Sequence, residues 1–386
     1  MSERTYFDWN ATAPLRTVAR AAMLEALEAG NASSVHAEGR AARARLEKAR
    51  AQVAALVGAE AKNVIFTSGA TEANALALTP ALEVGGRKEP RDRLFVSAVE
   101  HASVLAGGRF AGGEIEVLPV DAQGVVDLEA LARALAGASR PLVSVMLANN
   151  ETGVIQPIRA IADLVHAADG LLHVDAVQGV GRIASDMAAL GADLMSVSSH
   201  KLGGPQGAGA LVRRADIHFA APLIRGGGQE RGYRAGTENV AAIAGFGAAA
   251  EAARTRREVD APRMAALRDR LEHGIKGMTP QAVIFGGGVP RLPNTTLVAV
   301  PGIKAETALI AFDLKGIALS SGSACSSGKV QASHVLAAMG VDAGLATGAL
   351  RISLGPETAE NDVDKLLTAW NTVVSTLLKK QPTIAA

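Results

Sequence analysis

The chain has 386 residues, of which 48% are hydrophobic and 20% charged, proportions that are ordinary for a globular α/β protein. Lysine and arginine total 39 against 38 acidic residues, and the resulting formal charge of +1 does not indicate a nucleic-acid or anionic-membrane surface. No signal core and no apolar run long enough to span a bilayer is found, and one cysteine excludes an intrachain disulfide, so a cytoplasmic enzyme is the economical interpretation.

The first two thirds of the chain alternate helical and strand patterns. Helices are predicted at residues 17–29, which Gly30 ends, and after the polar loop 31–39, where apolar residues recur at helical spacing. Apolar strands alternating with helices predict a mainly parallel sheet that is covered on both faces. The predicted strands are residues 64–67, 94–97, 115–120, 142–148, 171–177, 194–197 and 209–212, with helical patterns such as 127–136 and 157–168 between several of them.

A domain change is predicted near residues 254–262, where a charged stretch and a proline follow an alanine-rich helix from 239 to about 253. We therefore predict a large domain over residues 15–255 and a smaller α+β domain formed by residues 1–14 and 256–386. Patterns in the smaller domain predict helices at 264–278, 306–314 and 330–339, strands at 282–285, 295–300, 317–320 and 349–354, and a last amphipathic helix after Pro356.

Polar side chains follow four of the predicted strands. In an open parallel sheet, ligands bind beyond the carboxyl ends of the strands, so these side chains can converge on one site. They are His101 and Ser103, the run Asn149 to Thr152, the group His173, Asp175 and Gln178, and the group Ser198, His200 and Lys201.

The group after the strand at 194–197 suits a phosphorylated aldehyde cofactor, because the amine of Lys201 can form a Schiff base while a hydroxyl and an imidazole hold a phosphate. Asp175, a carboxylate in an apolar strand, needs a cationic partner, which a protonated pyridine nitrogen would supply. Gln178 could bond the phenolic oxygen, and His101 could stack on the ring and move protons. Taken singly, Lys201 could equally be a solvated surface lysine, and each of the others is more often a core polar residue satisfied by its neighbours.

Two further stretches carry chemistry. Residues 68–74 open a helix after a strand and a glycine, so free N–H groups and the positive end of the helix dipole favour a phosphate, although helix capping alone would explain this signal. Cys325 lies among serines and glycines in residues 319–329, which suits a thiol that reaches into a site and carries a group out. The alternative for Cys325 is a small buried hydrophobic residue.

Nine ordered blocks between Asp8 and about Gly355 make the chain similar to a known family. It resembles the cysteine desulfurases of the nitrogen-fixation and iron–sulfur-assembly type, in the class V aminotransferase superfamily. This resemblance implies fold-type I architecture, with a mainly parallel sheet of the seven-stranded type flanked by helices and a smaller α+β domain that carries the cysteine loop. The blocks are residues 31–40, 67–74, 149–157, 173–178, 199–205, 226–231, 234–239, 320–328 and 349–355.

The resemblance implies pyridoxal 5'-phosphate as the cofactor, attached to Lys201 and bound by the large domain. Asp175 and Gln178 are expected to hold its ring, His101 to stack on it, and Asn150 to contact its oxygen and the substrate. The phosphate is expected to be held by Ala70, Thr71, Ser198 and His200, with Thr237 reaching in from the other subunit of a homodimer.

The implied substrate is L-cysteine, whose carboxylate Arg351 would bind with a bidentate fork, helped by Asn10 and His36. Lys201 is expected to move the Cα proton, and the Cys325 thiolate to take the substrate sulfur as a persulfide while L-alanine is released. The sulfur would pass to an acceptor protein such as an iron–sulfur scaffold. No metal ligands are predicted beyond a transient contact of Cys325 with an iron–sulfur cluster.

Several positions depart from the family pattern and leave alternatives open. Trp9, Ala13 and Tyr233 stand where the family usually has other residues, Lys329-Val330-Gln331 replaces a common motif after the cysteine, and the extended tail used for scaffold docking is lacking, so the acceptor stays open. A selenocysteine lyase, an aminotransferase or another class V enzyme is the nearest alternative. A catalytically silent sulfur-relay subunit and a module using only the phosphate turn are the more distant ones.

Overall fold

The computed structural model describes residues 4–88, 90–322 and 333–379. Cys325 and Lys329-Val330-Gln331 lie outside the described residues. The strands within the described ranges are β1 (Thr5–Tyr6), β2 (Val64–Thr67), β3 (Leu82–Val84), β4 (Leu94–Ser97), β5 (Ile115–Leu118), β6 (Leu142–Met146), β7 (Leu171–Asp175), β8 (Leu194–Ser198), β9 (Gly209–Arg213), β10 (Ile217–Phe219), β11 (Val283–Ile284), β12 (Thr295–Ala299), β13 (Ile317–Ala318), β14 (Ser320–Ser321) and β15 (Leu350–Ser353).

Helices precede, separate and follow these strands. The α-helices of the described ranges are α1 (Thr17–Ala26), α2 (Ala37–Leu56), α3 (Ala70–Ala77), α4 (Ala102–Leu105), α5 (Leu128–Leu135), α6 (Ile158–Ala167), α7 (Met187–Leu190), α8 (Val240–Met278), α9 (Ala305–Leu314), α10 (His334–Ala338), α11 (Ala343–Ala346) and α12 (Glu360–Lys379). None of these helices has the length and apolar character needed to cross a bilayer.

The largest sheet in the described part of the chain has seven strands in the order β2-β9-β8-β7-β6-β4-β5. The pairs among β4 to β8 are parallel, and only β9 runs against its neighbours. This confirms the predicted, mainly parallel sheet. Because all strands but β9 point the same way, their carboxyl ends meet at one edge.

Strands β4 and β6 to β9 are buried on both faces, which is why apolar residues predominate on both sides of each strand rather than on one side only. Successive side chains point to opposite faces. Leu171 and Leu194 therefore pack in the core on one face, with Leu76 of α3. Leu172 and Met195 pack in the core on the other face, beside α2, α6 and α8.

A second, antiparallel sheet has the order β11-β12-β15-β14 within the described residues. Its core contains Phe7, Leu271, Phe312 and Trp370, with the Phe312 and Trp370 rings 6.0 Å apart. The N-terminal segment belongs to this unit as well, because β1 pairs in parallel with β13. Arg351 of β15 lies beside Ser320 of β14. Strand β14 is the last element before the second described range ends at residue 322.

The predicted interruption between residues 253 and 264 is wrong, because α8 is continuous and has Pro262 inside it. A proline inside a helix costs about 3 kcal/mol. Packing of both halves offsets that cost, since Phe246 lies in the core of the large sheet and Leu271 in the core of the antiparallel sheet. The charged stretch is a helix surface on which Arg256 pairs with Asp260 at 3.0 Å. The division of the chain at residue 255 stays a prediction.

A buried ion pair connects β2, the strand that leads into residues 68–74, to the block at residues 226–231. Arg50 and Glu230 are 5% and 7% exposed and make two hydrogen bonds of 2.7 and 2.8 Å. Glu230 also accepts from the backbone N–H of Phe66 at 2.8 Å, and Arg50 lies 4.7 Å from the Phe66 ring. The pair therefore fixes β2 against a loop far along the chain.

We expect Glu230→Gln to lower the free energy of unfolding by about 3 kcal/mol, because the variant removes the buried counter-charge of Arg50 and leaves only the half-exposed Glu47 to offset it among the described residues. Urea unfolding of the apoprotein measures this change. The matched control is Glu47→Gln, since the half-exposed Glu47 contacts the same guanidinium at 3.1 Å and should contribute less than about 1 kcal/mol. Equal losses in the two variants would contradict the prediction.

Candidate active site

A cavity of about 560 Å³ lies at the carboxyl edge of the large sheet. Strand ends, the β2–α3 turn, the N-terminal segment and β15 all contribute to its wall, as expected for an open parallel sheet. Of the residues predicted to form the site, those lining this cavity are Asn10, Ala70, Thr71, His101, Asn150, Asp175, Gln178, Ser198, His200, Lys201 and Arg351.

Lys201 lies in a short helical turn directly after β8, so its amine reaches the cavity from the sheet edge. Nζ donates to the carbonyl oxygens of Asn10 at 2.5 Å and Ala11 at 2.8 Å. Burial, then the positive charges of Arg351 and Arg182, lower the pKa of Lys201 to about 7. A large fraction of the amine is therefore neutral, and nucleophilic, near neutral pH.

Asp175 ends β7 at the floor of the cavity and is 5% exposed. Its Oδ2 accepts from Asn74 Nδ2 at 2.9 Å and its Oδ1 from the N–H of Val177 at 3.1 Å. Both donors are uncharged, so these bonds fix the carboxylate without neutralising it. A cationic ring nitrogen entering the cavity would meet a preorganised negative partner.

His101 follows β4 and caps the first turn of α4. The backbone N–H of Ser103 donates to His101 Nδ1 at 3.1 Å, which leaves Nε2 as the protonated nitrogen of the neutral ring. Burial lowers the pKa of His101, and the Asp175 carboxylate opposes that shift. Asn74 also donates to Ser103 Oγ at 2.9 Å. One asparagine therefore bonds both to Asp175 and to the serine whose amide bonds to His101.

An anion cradle is formed where α3 begins. Gly209 of β9 lies so close to this turn that a Cβ there would sit 2.6 Å from the carbonyl carbon of Gly69. The cap residue, Gly69, has no side chain to accept from the first amides of α3, and Ala70 and Thr71, which carry them, line the cavity. Amides at a helix N-terminus attract phosphate.

Ser198, at the end of β8, and His200, in the helical turn that follows it, complete this cradle. His200 Nδ1 lies 3.0 Å from Thr12 Oγ1, and burial, followed by the charge of Lys201, lowers the pKa of His200 to about 4. The imidazole is therefore neutral at physiological pH and acts as a hydrogen-bonding group rather than a counter-charge. The donors present are amides, a hydroxyl and an imidazole, which suit a phosphate.

Arg351 enters the cavity from β15 and is 6% exposed. One terminal nitrogen donates to Asp8 Oδ1 at 2.8 Å and the other to the carbonyl oxygen of Asn150 at 3.1 Å. Asn10, on the same side, donates to Thr295 Oγ1 at 2.9 Å. The guanidinium is thus held in one orientation before any ligand arrives.

Other predicted residues have different surroundings. Gln178 donates to the carbonyl oxygen of Asn10 at 3.0 Å and accepts from Arg182, so its amide is already engaged by the protein. His36 is exposed; it caps α2 and lies 2.9 Å from Glu38. His173 is fully buried between two serines of neighbouring strands, and burial lowers its pKa to about 3.

Thr237 lies in an adjoining depression of about 220 Å³ that shares Ser68 and Gly207 with the main cavity. No role was expected from the sequence for Asp8, Asn74 or Arg182. Asn74 lay within a matching block, and its place four residues after Ala70, on one face of α3, was the available signal. Nothing in the local sequence of Arg182 or Asp8 indicates their distant partners.

The aminotransferase class-V family model matches residues 5–366 of the chain. A cysteine desulfurase of Cereibacter sphaeroides is 43% identical over 98% of both chains, and the cysteine desulfurase IscS of Dictyoglomus turgidum is 39% identical over 99% of this chain and 97% of its own. Among solved structures, the NifS-like protein of Rickettsia africae is 36% identical and superposes with a TM-score of 0.87 over 97% of this chain and all of the other. A structure of SspA in complex with cysteine is 28% identical, with a TM-score of 0.75 over 92% of this chain and 99% of its own.

Proposed function

We propose that this chain, which belongs to the aminotransferase class-V family, is a pyridoxal-phosphate-dependent cysteine desulfurase. It converts L-cysteine into L-alanine and leaves the sulfur as a persulfide on Cys325. One observation carries the proposal: the partly buried amine of Lys201, with a pKa lowered to about 7, shares a cavity with the carboxylate of Asp175 and the guanidinium of Arg351. Full-length relatives that are themselves named cysteine desulfurases support it.

The lining residues fit the proposed cofactor. The amides that begin α3, with Ser198 and His200, would hold its phosphate, Asp175 would hold its ring nitrogen, and Lys201 would hold its aldehyde carbon. When bound, the cofactor supplies an electron sink for the charge that develops on the substrate carbon. His101 would stack on the ring and Gln178 would approach its oxygen.

The remaining residues would bind and orient the amino acid. Arg351 would bind the substrate carboxylate, with Asn150 and Asn10 beside it, because its guanidinium is fixed and faces the cavity. Lys201 Nζ, neutral in a large fraction of molecules near pH 7, would take the proton from the substrate Cα. His101, whose pKa desolvation lowers, would exchange protons near the same carbon.

The sulfur step balances without an external oxidant. The Cys325 thiolate bonds to the substrate sulfur, the carbon–sulfur bond breaks, and its electron pair stays on the substrate carbon, which is protonated to give alanine. L-Cysteine and one enzyme thiol thus become L-alanine and one enzyme persulfide. The outer sulfur would then pass to an acceptor protein, for iron–sulfur clusters or another sulfur-containing cofactor.

Incubation of the purified protein with L-cysteine, without an added oxo acid, tests this function. We expect alanine in every turnover, and sulfide in equal amount once a reductant such as dithiothreitol cleaves the persulfide. L-Selenocysteine in a parallel reaction separates the runner-up, a selenocysteine lyase, which would act on selenocysteine and leave L-cysteine unchanged. Alanine formation that requires an oxo acid would identify an aminotransferase and reject the proposal.

A homodimer belongs to the same proposal. Apolar side chains of α1 and the following loop are exposed, with Val18, Leu24, Leu27 and Val35 at 52%, 58%, 64% and 87%. Several large apolar side chains exposed along one stretch of chain favour a surface that another chain covers. Thr237, beside the cavity, would then contact the phosphate of the other subunit's site. A cytoplasmic location, predicted from the single cysteine, completes the proposal.

The pH dependence of cofactor capture follows from the lowered pKa of Lys201. Below about pH 7 most of the amine is protonated and cannot attack an aldehyde, and above it most is neutral. We expect the rate at which apoprotein captures pyridoxal phosphate to rise with pH, by up to tenfold per unit, and to level off above about pH 7. Stopped-flow absorbance measures this rate. A rise that continues to pH 10, as for an ordinary lysine, would contradict the assignment.

A further inference from the structure

Glu151 is a buried carboxyl for which the reaction described above has no use. It is 2% exposed and lies next to Asn150 in the loop after β6. Ser333 Oγ, itself in a buried residue, donates to Glu151 Oε2 at 2.6 Å. A Cβ on Gly322 would sit 3.1 Å from the same oxygen. One carboxylate oxygen therefore bonds to Ser333 and lies close to Gly322, the two residues that flank segment 323–332, which contains Cys325.

The other contacts of Glu151 lead to the cavity. Its backbone N–H donates to Asn149 Oδ1 at 2.9 Å, and the carbonyl oxygen of Asn150 accepts from Arg351. Burial raises the pKa of Glu151 to about 7, and the positive charge of Arg351 opposes this rise. The loop that bears Glu151 is thus fixed to the guanidinium proposed to bind the substrate carboxylate.

Both flanks are also tied to regular structure. Ser333 caps α10 by accepting from the N–H of Leu336 at 3.1 Å, so its hydroxyl donates to Glu151 and accepts from the helix at once. Gly322 donates to the carbonyl oxygen of Ala349, directly before β15. A hydroxyl that donates and accepts at once strengthens both bonds, so removing Glu151 weakens the cap as well.

We propose that Glu151 is a positioning residue for sulfur transfer, which fixes Gly322 and Ser333 relative to Asn150 and Arg351. The inference rests on the proposed function, because it concerns the step in which the Cys325 thiolate meets the substrate sulfur. A reaction between two groups held by one scaffold is sensitive to small displacements of either. Loss of the anchor should therefore slow that step and leave binding of the amino acid unchanged.

Single-turnover persulfide formation on holoenzyme tests the proposal. We expect Glu151→Ala and Ser333→Ala each to slow it about tenfold, with KM and the absorbance change on adding L-cysteine unaltered. Glu151→Gln keeps an acceptor for the Ser333 hydroxyl and should stay within about twofold of wild type. The double variant should be no slower than either single one, since both remove the same contact.

Asp342→Ala is the matched control, because Asp342 caps the neighbouring α11 through Leu345 without touching Glu151. Its persulfide rate should equal that of wild type. Wild-type rates in Glu151→Ala or Ser333→Ala, an equal loss in Asp342→Ala, or a loss confined to KM would overturn the proposal. Should Glu151→Ala fail to fold, Ser333→Ala alone decides. A wild-type protein that forms no persulfide would instead reject the proposed function.

Discussion

Lys201→Ala is expected to abolish multiple turnover, with alanine formation reduced at least about 10³-fold. The partly buried amine, whose pKa is lowered to about 7, is the proposed attachment point for the cofactor and the proposed base at the substrate Cα, so the substitution removes both functions. It also leaves the carbonyl oxygens of Asn10 and Ala11 without the donor that they share. Pyridoxal phosphate should still bind non-covalently, because the phosphate cradle and Asp175 are intact.

Steady-state alanine production and borohydride reduction measure the two functions separately. Reduction should fix the cofactor to wild-type protein and leave the variant unlabelled. Lys62→Ala is the control, since that lysine is exposed and pairs with Glu60 at 2.9 Å. Lys201→Arg keeps the positive charge but cannot form the covalent link, and it should be as inactive as the alanine variant. Full turnover in either Lys201 variant would reject the assignment.

The fold could be predicted from the sequence where local pattern and burial agree. Strands β6, β7 and β8 are buried on both faces, so apolar residues predominate on both sides of each strand, a pattern that differs from the one-sided apolar stripe of a surface helix. Helix α8 could not be predicted as one element, because Pro262 and the charged stretch before it are ordinary signs of a helix end. The packing of its two halves against different cores decides the outcome, and no local window contains that information.

The same distinction holds for the site. Parallel topology by itself brings strand ends together, so Lys201, Asp175 and His101 could be expected at one edge before any coordinates existed. The partners that orient them could not, since Asn74 is 101 residues from Asp175 and Asp8 is 343 residues from Arg351. His36 is the opposite case, a residue that a matching block suggested for the site but that does not line the cavity. It caps α2 and pairs with Glu38.

Cys325→Ala is expected to retain the cofactor absorbance and its shift on adding L-cysteine, while alanine formation falls at least about 10³-fold. The variant keeps Lys201, Asp175 and Arg351, so binding of the amino acid and removal of its Cα proton should proceed. The carbon–sulfur bond should persist, because no thiolate is left to accept the sulfur as the substrate carbon takes the electron pair. Alanine assay and absorbance spectra separate the two stages.

Because the chain has one cysteine, this variant contains no thiol at all, and any sulfur found on the protein would need another explanation. Mass spectrometry after one turnover should show an added sulfur on wild-type protein and none on Cys325→Ala. Cys325→Ser tests whether the thiolate or merely the polar side chain is needed, and it should match the alanine variant since a hydroxyl is a weak nucleophile toward sulfur. Undiminished alanine production in both variants, with reductant omitted, would show that sulfur leaves the substrate without a protein nucleophile and would remove Cys325 from the mechanism.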